Sequence, residues 1–263
     1  MKEDSCRFNK EFVKIIGSAA KTVFYLKKIQ GHYPRWRLIY KIKCESTEKE
    51  LSDWLVNSQI KRNQPLAIIA REQFSGFGQN SKTWVSPTGG IWLSAAYPIF
   101  SKEFKSQLFS LSVAIKLCEM LRREHINAIL KWPNDIFVDT KKLVGFLPRV
   151  ITRGNEIIYV RIGLGMNISN RTPIEGISLS KLLKTKNINQ YYWTAKVLKA
   201  FHDSIDCNNQ KEYVIKSANK FLSKKLLPSG YCPHKWEIKD IDSNGNLRIQ
   251  DDTQEKVLSR FRT

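Results

Sequence analysis

KWPNDIFVDTKKLVGFL, residues 131–147, is the stretch on which the reading of this chain turns. Three apolar pieces, Ala128–Lys131, Ile136–Val138 and Leu143–Val150, are separated only by turn chemistry at Pro133-Asn134 and Asp139-Thr140. Strand follows strand with no room for a crossover helix, so the sheet they belong to is expected to be mixed or largely antiparallel rather than doubly wound. The same segment sets Lys131, Asn134, Asp135 and Lys142 among Trp132, Phe137 and Leu143, with a glycine, Gly145, close behind. A core-filling stretch has no need of these polar residues, and their combination suits an anion held against apolar surface. A hairpin here brings Lys142 back toward Lys131.

Reading outward, Arg153-Gly154-Asn155 turns the chain into a further strand at Ile157–Asn167, IIYVRIGLGMN. Upstream, the pattern predicts strands at Trp36–Cys44, Leu66–Ala70 and Ile91–Tyr97. It also predicts a helix capped by Ser46 or Thr47 that runs to about Ser58. Glu103–Arg123 is the clearest helix, because Phe104, Leu108, Leu111, Ile115, Cys118 and Leu121 recur at three- and four-residue steps. Helices are also expected near Tyr191–Ser204 and Glu212–Leu222. From Leu226 a small all-β tail follows, with strands at Trp236–Ile241, Leu247–Gln250 and Val257–Phe261 and a hairpin turn at Asn244-Gly245. The organisation expected is an N-terminal extension at 1–35 with one short helix around Val13–Ile29, a mixed α/β body at 36–223, and a small β domain at 224–263.

The chain has 263 residues, 42% hydrophobic and 11% aromatic, enough for a substantial core. Its longest apolar run, Ile91–Phe100, is broken by Ser94 and Pro98 and is too short to span a membrane. The first residues, MKEDSCRFNKEF, have no apolar signal region. Five cysteines, Cys6, Cys44, Cys118, Cys207 and Cys232, are widely spaced with no CxxC pair, which indicates neither a zinc site nor a disulfide framework and makes a reducing cytoplasm the simplest compartment. The net charge of +20 admits two readings, an acidic or nucleic-acid partner and a plain compositional bias toward Lys, Asn and Ile. The lysines are scattered rather than gathered in one stripe, which favours the second. Residues 1–35 are too short for a complete winged helix-turn-helix, so DNA binding is not expected.

Four places could carry chemistry. In Gln73–Trp84, QFSGFGQNSKTW, Gly76 and Gly78 let backbone N–H groups approach an anion, although the loop is neither a Walker loop nor a dinucleotide fingerprint and could be a surface turn. In 131–147, two lysines near one carboxylate suit a reaction between anions, since fixed positive charge offsets their repulsion; a solvated charged hairpin fits the residues as well. Gly163 and Gly165, inside an apolar strand, mark either close approach of a ligand or a bulge. Ser46 and Thr47 either bind a polar head group or cap the helix. His32, His125, His202 and His234 lie far apart with no metal-ligand spacing, and there is no GxSxG elbow, so neither a metal site nor a protein nucleophile is indicated.

Together these residues resemble a known family. KWPNDI at 131–136 followed by KKLVGFL at 141–147 closely resembles the signature of biotin protein ligases, the biotin–[acetyl-CoA-carboxylase] ligases. Glu45-Ser46-Thr47 resembles the family's D-S-T-N segment, Gln73–Trp84 its Q-x-x-G-R-G-x-x-G-R-x-W loop, and Ile162–Asn167 its I-G-x-G-I-N strand. The resemblance covers residues 38–262. It implies an α+β, class II synthetase-like domain (the biotin/lipoate ligase fold) with an SH3-like β-barrel tail, of the enzyme-only type. It implies two half-reactions: biotin and Mg²⁺·ATP give biotinyl-5′-AMP, which then acylates a lysine of the biotin carboxyl carrier protein of acetyl-CoA carboxylase. By motif position Lys142, Lys131, Asp135 and Asn134 would be catalytic, with Asp135 a proton acceptor. Ser46, Thr47, Glu48, Gln73, Gly76, Phe77, Gly78, Gln79, Lys142, Gly145, Gly163 and Gly165 would bind biotin. Gly76, Gly78, Lys82, Trp84, Lys131, Asn134 and Asn167 would bind ATP. Family analogy alone admits a homodimer. The chain departs from the pattern at Phe77 and Lys82, where the family has arginines, at Ser81 for a glycine, and at Glu48 for an asparagine. A lipoate or octanoate ligase or transferase of the same fold, or a non-catalytic relative with a degenerate nucleotide loop, are the alternatives.

Overall fold

The computed structural model describes residues 18–29, 34–57, 64–79 and 83–259. Its centre is a seven-stranded sheet in the order β1-β2-β3-β7-β6-β5-β4. The strands are β1 (Arg37–Cys44), β2 (Leu66–Gln73), β3 (Ile91–Pro98), β4 (Ala128–Lys131), β5 (Asp135–Val138), β6 (Lys141–Arg153) and β7 (Glu156–Met166). Only β1 and β2 run parallel, joined by the helix α2 (Thr47–Asn57); every other adjacent pair is antiparallel. The expected mixed, largely antiparallel sheet is therefore the one found. Gly154, at φ +58, makes the tight turn from which β6 and β7 pair, from Arg153–Glu156 out to Val144–Met166.

The two faces of the sheet are covered differently. Val160, Ile162, Leu164 and Met166 of β7 point into the main core. There they meet α3 (Phe109–Arg122), α5 (Gln190–Asp206) and α6 (Lys211–Phe221). The helix α3 is buried almost all round, as an element sandwiched between a sheet and other helices must be. It starts later than the expected Glu103. Ser106–Leu108 form a 3-10 turn, and Lys105 is extended (φ −95, ψ 93). The Lys105 amide is drawn to Asn208 Oδ1 at 2.6 Å, a distant partner that the apolar spacing does not reveal. On the other face, α2 packs Leu51 against Leu66, Ile68 and Ala96 in a smaller apolar cluster.

Residues 18–29 are helical (α1); the expected start at Val13 lies outside the described residues. This helix is part of the body, with Thr22 and Leu26 fully buried. The Thr22 hydroxyl bonds the Tyr40 hydroxyl on β1, and Tyr25 meets Tyr192 of α5 edge-on at 5.7 Å. A short helix not foreseen from the sequence, α4 (Leu179–Leu182), follows the loop after β7.

The tail forms a three-stranded sheet, β10-β9-β8, from β8 (Glu237–Ile241), β9 (Leu247–Gln250) and β10 (Glu255–Leu258), consistent with an SH3-like element. Its hairpin turns where expected, with Gly245 at φ +86 and Asp242 Oδ1 accepting the Asn244 and Asn246 amides. Trp236, Ile238, Ile241, Leu247 and Ile249 belong to the same apolar core as α3 and α6. Asn219 of α6 binds Ile241 through both backbone groups, at 2.9 and 2.8 Å.

Candidate active site

Strand alternation puts Arg161, Gly163 and Gly165 of β7 on the α2 face. Their partners across the ladders are Ala96, Ser94 and Trp92 of β3 and Arg149, Leu147 and Gly145 of β6. Three glycines in this patch leave a floor without side chains, and residues from elsewhere lie on it. A Cβ on Gly165 would stand 2.4 Å from the Trp84 indole, and one on Gly145 would stand 2.7 Å from Lys142 Cε and 2.8 Å from Trp84. One on Gly163 would stand 3.0 Å from both Cγ and Oε1 of Glu48. The sequence marked Gly163 and Gly165 as points of close approach, and what approaches them here is the chain's own Glu48 and Trp84.

The cationic end is built by β4, β5 and β6. Lys131 stands opposite Asp135 across β4 and β5, and Asp135 stands opposite Gly145 across β5 and β6. The turn between β4 and β5 contains a cis Trp132–Pro133 peptide. The hairpin reading brought Lys142 back toward Lys131; the two lysines come from the strands on either side of β5, with Asp135 between them, and Lys142 Nζ sits 2.7 Å from its carboxylate and 4.7 Å above the Trp84 ring. Lys131 Nζ lies over Phe137, 5.3 Å from the ring centroid. The Lys142 backbone is clamped by a segment that the sequence reading passed over. Its N–H donates to the Glu175 carbonyl at 2.8 Å and its carbonyl accepts from Ile177 at 3.0 Å.

Two residues marked as ligand contacts have their side chains engaged with the protein. Asn134 donates Nδ2 to the Phe146 carbonyl, while the Phe146 amide donates to the Asn134 carbonyl, which staples the turn to β6. Asn167 donates to the Lys142 carbonyl at 3.4 Å and accepts from Asn170 at 2.9 Å.

The opposite end is a row of hydroxyl and amide groups. Gln73 Oε1 accepts from the Thr47 amide at 2.7 Å and its hydroxyl at 3.0 Å, and Gln73 Nε2 donates to Ser86 Oγ at 2.8 Å. Thr47 Oγ1 also lies 2.9 Å from Ser94 Oγ. Ser46 does open the helix: its Oγ accepts the Glu48 amide at 3.2 Å and its carbonyl the Glu50 amide at 3.1 Å. The glycine-bearing loop closes as a narrow hairpin, with the Trp84 amide donating to the Gly76 carbonyl at 2.8 Å and Phe77 bridged to Thr83. A side chain at Gly76 would meet the Trp84 carbonyl at 2.6 Å. Phe77 is 40% exposed, Gly78 and Gln79 follow it, and Lys82 lies outside the described residues.

Glu48 is buried at 6% exposure. Its Oε2 lies 3.3 Å from Arg161 NH2 and 3.9 Å from Arg149 Nε. Arg161 NH2 also donates to the Glu48 carbonyl at 3.2 Å and to Ser52 Oγ at 3.0 Å. Burial holds the Arg161 guanidinium below its ordinary pKa, against the pull of Glu48. Ser94, Arg149 and Arg161 escaped the sequence reading as site residues. The signal for Arg161 was present: a charge inside the apolar run IIYVRIGLGMN, two residues before the first glycine and on the same face.

Elsewhere, among the described residues, His202, Asp203 and Asp206 are close enough together to share a metal ion. They lie on α5, across the sheet from the glycine floor, and Asp203 is paired with Lys199 at 2.8 Å. No described helix is long and apolar enough to cross a membrane.

Residues 42–167 match the Biotin/lipoate A/B protein ligase family. The bifunctional ligase/repressor BirA of Bacillus spizizenii is 30% identical over 137 residues, 51% of this chain and 41% of that protein. The human biotin–protein ligase is 27% identical over 226 residues, 76% of this chain and 30% of that protein. The chain thus spans under half the length of either relative. A biotin protein ligase from Aquifex aeolicus, solved in complex with biotin and ATP, has the same fold. It matches with a TM-score of 0.63 at 23% identity, covering 85% of this chain and 95% of that one.

Proposed function

We propose, from the match of residues 42–167 to the Biotin/lipoate A/B protein ligase family, that this chain is an ATP-dependent biotin ligase. In the first half-reaction a biotin carboxylate oxygen attacks the α-phosphorus of ATP. The bond from that phosphorus to the bridging oxygen breaks, pyrophosphate leaves, and biotinyl-5′-AMP forms. In the second, a carrier lysine amine attacks the acyl carbon, AMP leaves, and the amine proton passes to a base. Magnesium enters as the counter-ion of the ATP substrate. Neither step needs a protein nucleophile, so the chain's task is positioning and charge compensation.

The observation that carries this reading is Lys142: a backbone-clamped ammonium 2.7 Å from Asp135 and stacked on Trp84 at the edge of the glycine floor. Two unit anions at ~4 Å repel by about 4 kcal/mol at an effective dielectric of about 20. A fixed cation between carboxylate and phosphate cancels a term of that size. Lys131, aligned with Asp135 across β4 and β5, supplies a second positive group for the phosphates. Asp135 is the nearest carboxylate to Lys142 and the base for the incoming amine. Thr47, Gln73, Ser46 and Glu48 form the polar end that receives the acid's head group. The acceptor is the biotin carboxyl carrier protein of acetyl-CoA carboxylase.

The chain is incubated with ATP, Mg²⁺, a carrier domain and either biotin or lipoate, and the carrier mass is read. Biotin added to one lysine, and lost in Lys142→Ala, is the expected result. Lipoate transfer in its place assigns the sister activity, and transfer of neither acid makes the chain a non-catalytic binder.

A further inference from the structure

The proposed chemistry depends on Lys142, yet regular strand pairing gives out around it on both sides. The last register pair between β6 and β7 is Val144–Met166, so Lys142 lies beyond the end of that ladder. In the β5–β6 ladder Ile136 faces Val144 and Phe137 faces Lys142, which leaves Leu143 as an extra, bulged residue. A bulge re-aims a side chain, and it also disrupts the ladder bonds that would fix the peptide.

What holds this peptide comes from beyond β7. Besides the clamp from Glu175 and Ile177, Asn167 grips two successive carbonyls. Its backbone N–H donates to Leu143 at 3.0 Å, and its Nδ2 donates to Lys142 at 3.4 Å. The second bond needs the Asn167 amide to keep its nitrogen toward Lys142 and its oxygen away. Asn170 sets that orientation. Its Nδ2 donates to Asn167 Oδ1 at 2.9 Å and to the Arg171 carbonyl at 3.2 Å, and its Oδ1 accepts the Ile168 amide at 3.0 Å. Both hydrogens and the oxygen of this buried carboxamide are therefore used. Gly89, at φ +104, closes over it, since a Cβ there would stand 3.1 Å from the Asn170 backbone nitrogen.

We infer that Asn170 is a positioning residue for the Lys142 ammonium. It fixes the orientation of the Asn167 amide, and through it the bulged peptide that aims Lys142. The inference rests on the ligase reading for what Lys142 does, but not for how Lys142 is held. A cation that offsets the repulsion of a carboxylate and a phosphate works from one place only, and a misplacement of ~1 Å can cost about a hundredfold in rate.

The test compares the parent with Asn170→Ala and Asn170→Asp, each with Lys142 in place and with Lys142→Ala, in biotin-dependent ATP–pyrophosphate exchange. Asn170→Asp keeps the shape and the acceptor for Ile168 but offers no N–H to Asn167. It separates the donor from the packing and keeps the test available if Asn170→Ala does not fold. The kcat is expected to fall by about tenfold to a hundredfold, with KM for ATP and biotin within about threefold of the parent's. In the Lys142→Ala background the same substitutions are expected to change the rate by less than about threefold, because no ammonium is left to position. A structural role lowers the rate equally in both backgrounds, and that result overturns the inference. A raised KM for ATP with kcat unchanged also overturns it, since Asn170 then serves the nucleotide rather than Lys142. Amide hydrogen–deuterium exchange gives a second measurement. The Lys142 and Ile177 N–H groups are expected to exchange about tenfold faster in Asn170→Asp, and unchanged protection there overturns the inference. A parent that supports no pyrophosphate exchange overturns the ligase reading alone, and the deuterium measurement then decides the inference.

Discussion

Two ion pairs lie on one face of the central sheet, at either end of the same glycine floor, and they are built to opposite specifications. Lys142 and Asp135 are 28% and 24% exposed and meet at 2.7 Å. The side chains of Glu48 and Arg161 are each 7% exposed and meet at 3.3 Å. The first pair sits where water and a charged substrate can reach it, so Lys142 can exchange its contact with Asp135 for a phosphate or a carboxylate of a ligand. Such a pair adds roughly 0–1 kcal/mol to folding. The second is sealed under α2. Desolvation opposes it, and its integrity is a condition of the fold rather than a source of stability. One pair is left accessible and nearly free of structural duty, and the other is walled in.

That contrast can be broken by substitution. Lys142→Ala should lower adenylate formation by about a thousandfold, the rate equivalent of a 4 kcal/mol term, with a melting temperature within about 2 °C of the parent. A large loss of Tm beside that loss of rate would erase the distinction between the pairs. Arg161→Leu should do the reverse in kind. It leaves Glu48 buried with only the half-exposed Arg149, 3.9 Å away, and should cost about 3 kcal/mol, lowering Tm by roughly 10 °C, with the fall largely restored when Glu48→Leu is added. Gly165→Ala probes the indole between the pairs. Its new Cβ would stand 2.4 Å from Trp84, so overpacking should cost about 1–3 kcal/mol, and acid activation should fall by about tenfold or more as the ring under Lys142 moves. The smallest effect is expected at the loop. Phe77→Arg, at a 40% exposed position, adds a guanidinium able to grip phosphate in a bidentate way. It should slow release of free biotinyl-5′-AMP by about tenfold, measured as adenylate leaving the protein before carrier is added. A parent that already retains its adenylate tightly would show that the loop needs no arginine there.

The sheet was legible because its evidence is local. KWPNDIFVDTKKLVGFL shows strand after strand with turn residues between, and an antiparallel arrangement follows from the absence of anything long enough to cross over. The spacing of Leu108, Leu111, Ile115, Cys118 and Leu121 likewise announces α3, but not where it starts, since Lys105 is turned aside by Asn208, a residue 103 positions away. The same limit applies at the site. That Lys142 would lie near a carboxylate could be read from its neighbours in sequence. That the carboxylate is Asp135, between Lys142 and Lys131, depends on which strand lies in the middle of three. Nothing in the first thirty residues' weak periodicity shows that Leu26 is fully buried, because the surface that buries it comes from β1 and α5. Glu48 looked like a departure from a pattern, and its meaning appears only beside Arg161, 113 positions on.

One hydrogen bond described from neither side so far joins the site turn to the tail. The Trp132 indole N–H donates to the Gly245 carbonyl at 3.1 Å, across 113 positions of chain. During synthesis at about 5–20 residues per second, the turn that carries Asn134 and Asp135 therefore emerges roughly 6–23 s before its partner in the tail exists. For that interval the nascent chain has its charged residues in place but lacks the contact that seats the turn against the tail hairpin, so the site is completed from the C-terminal side.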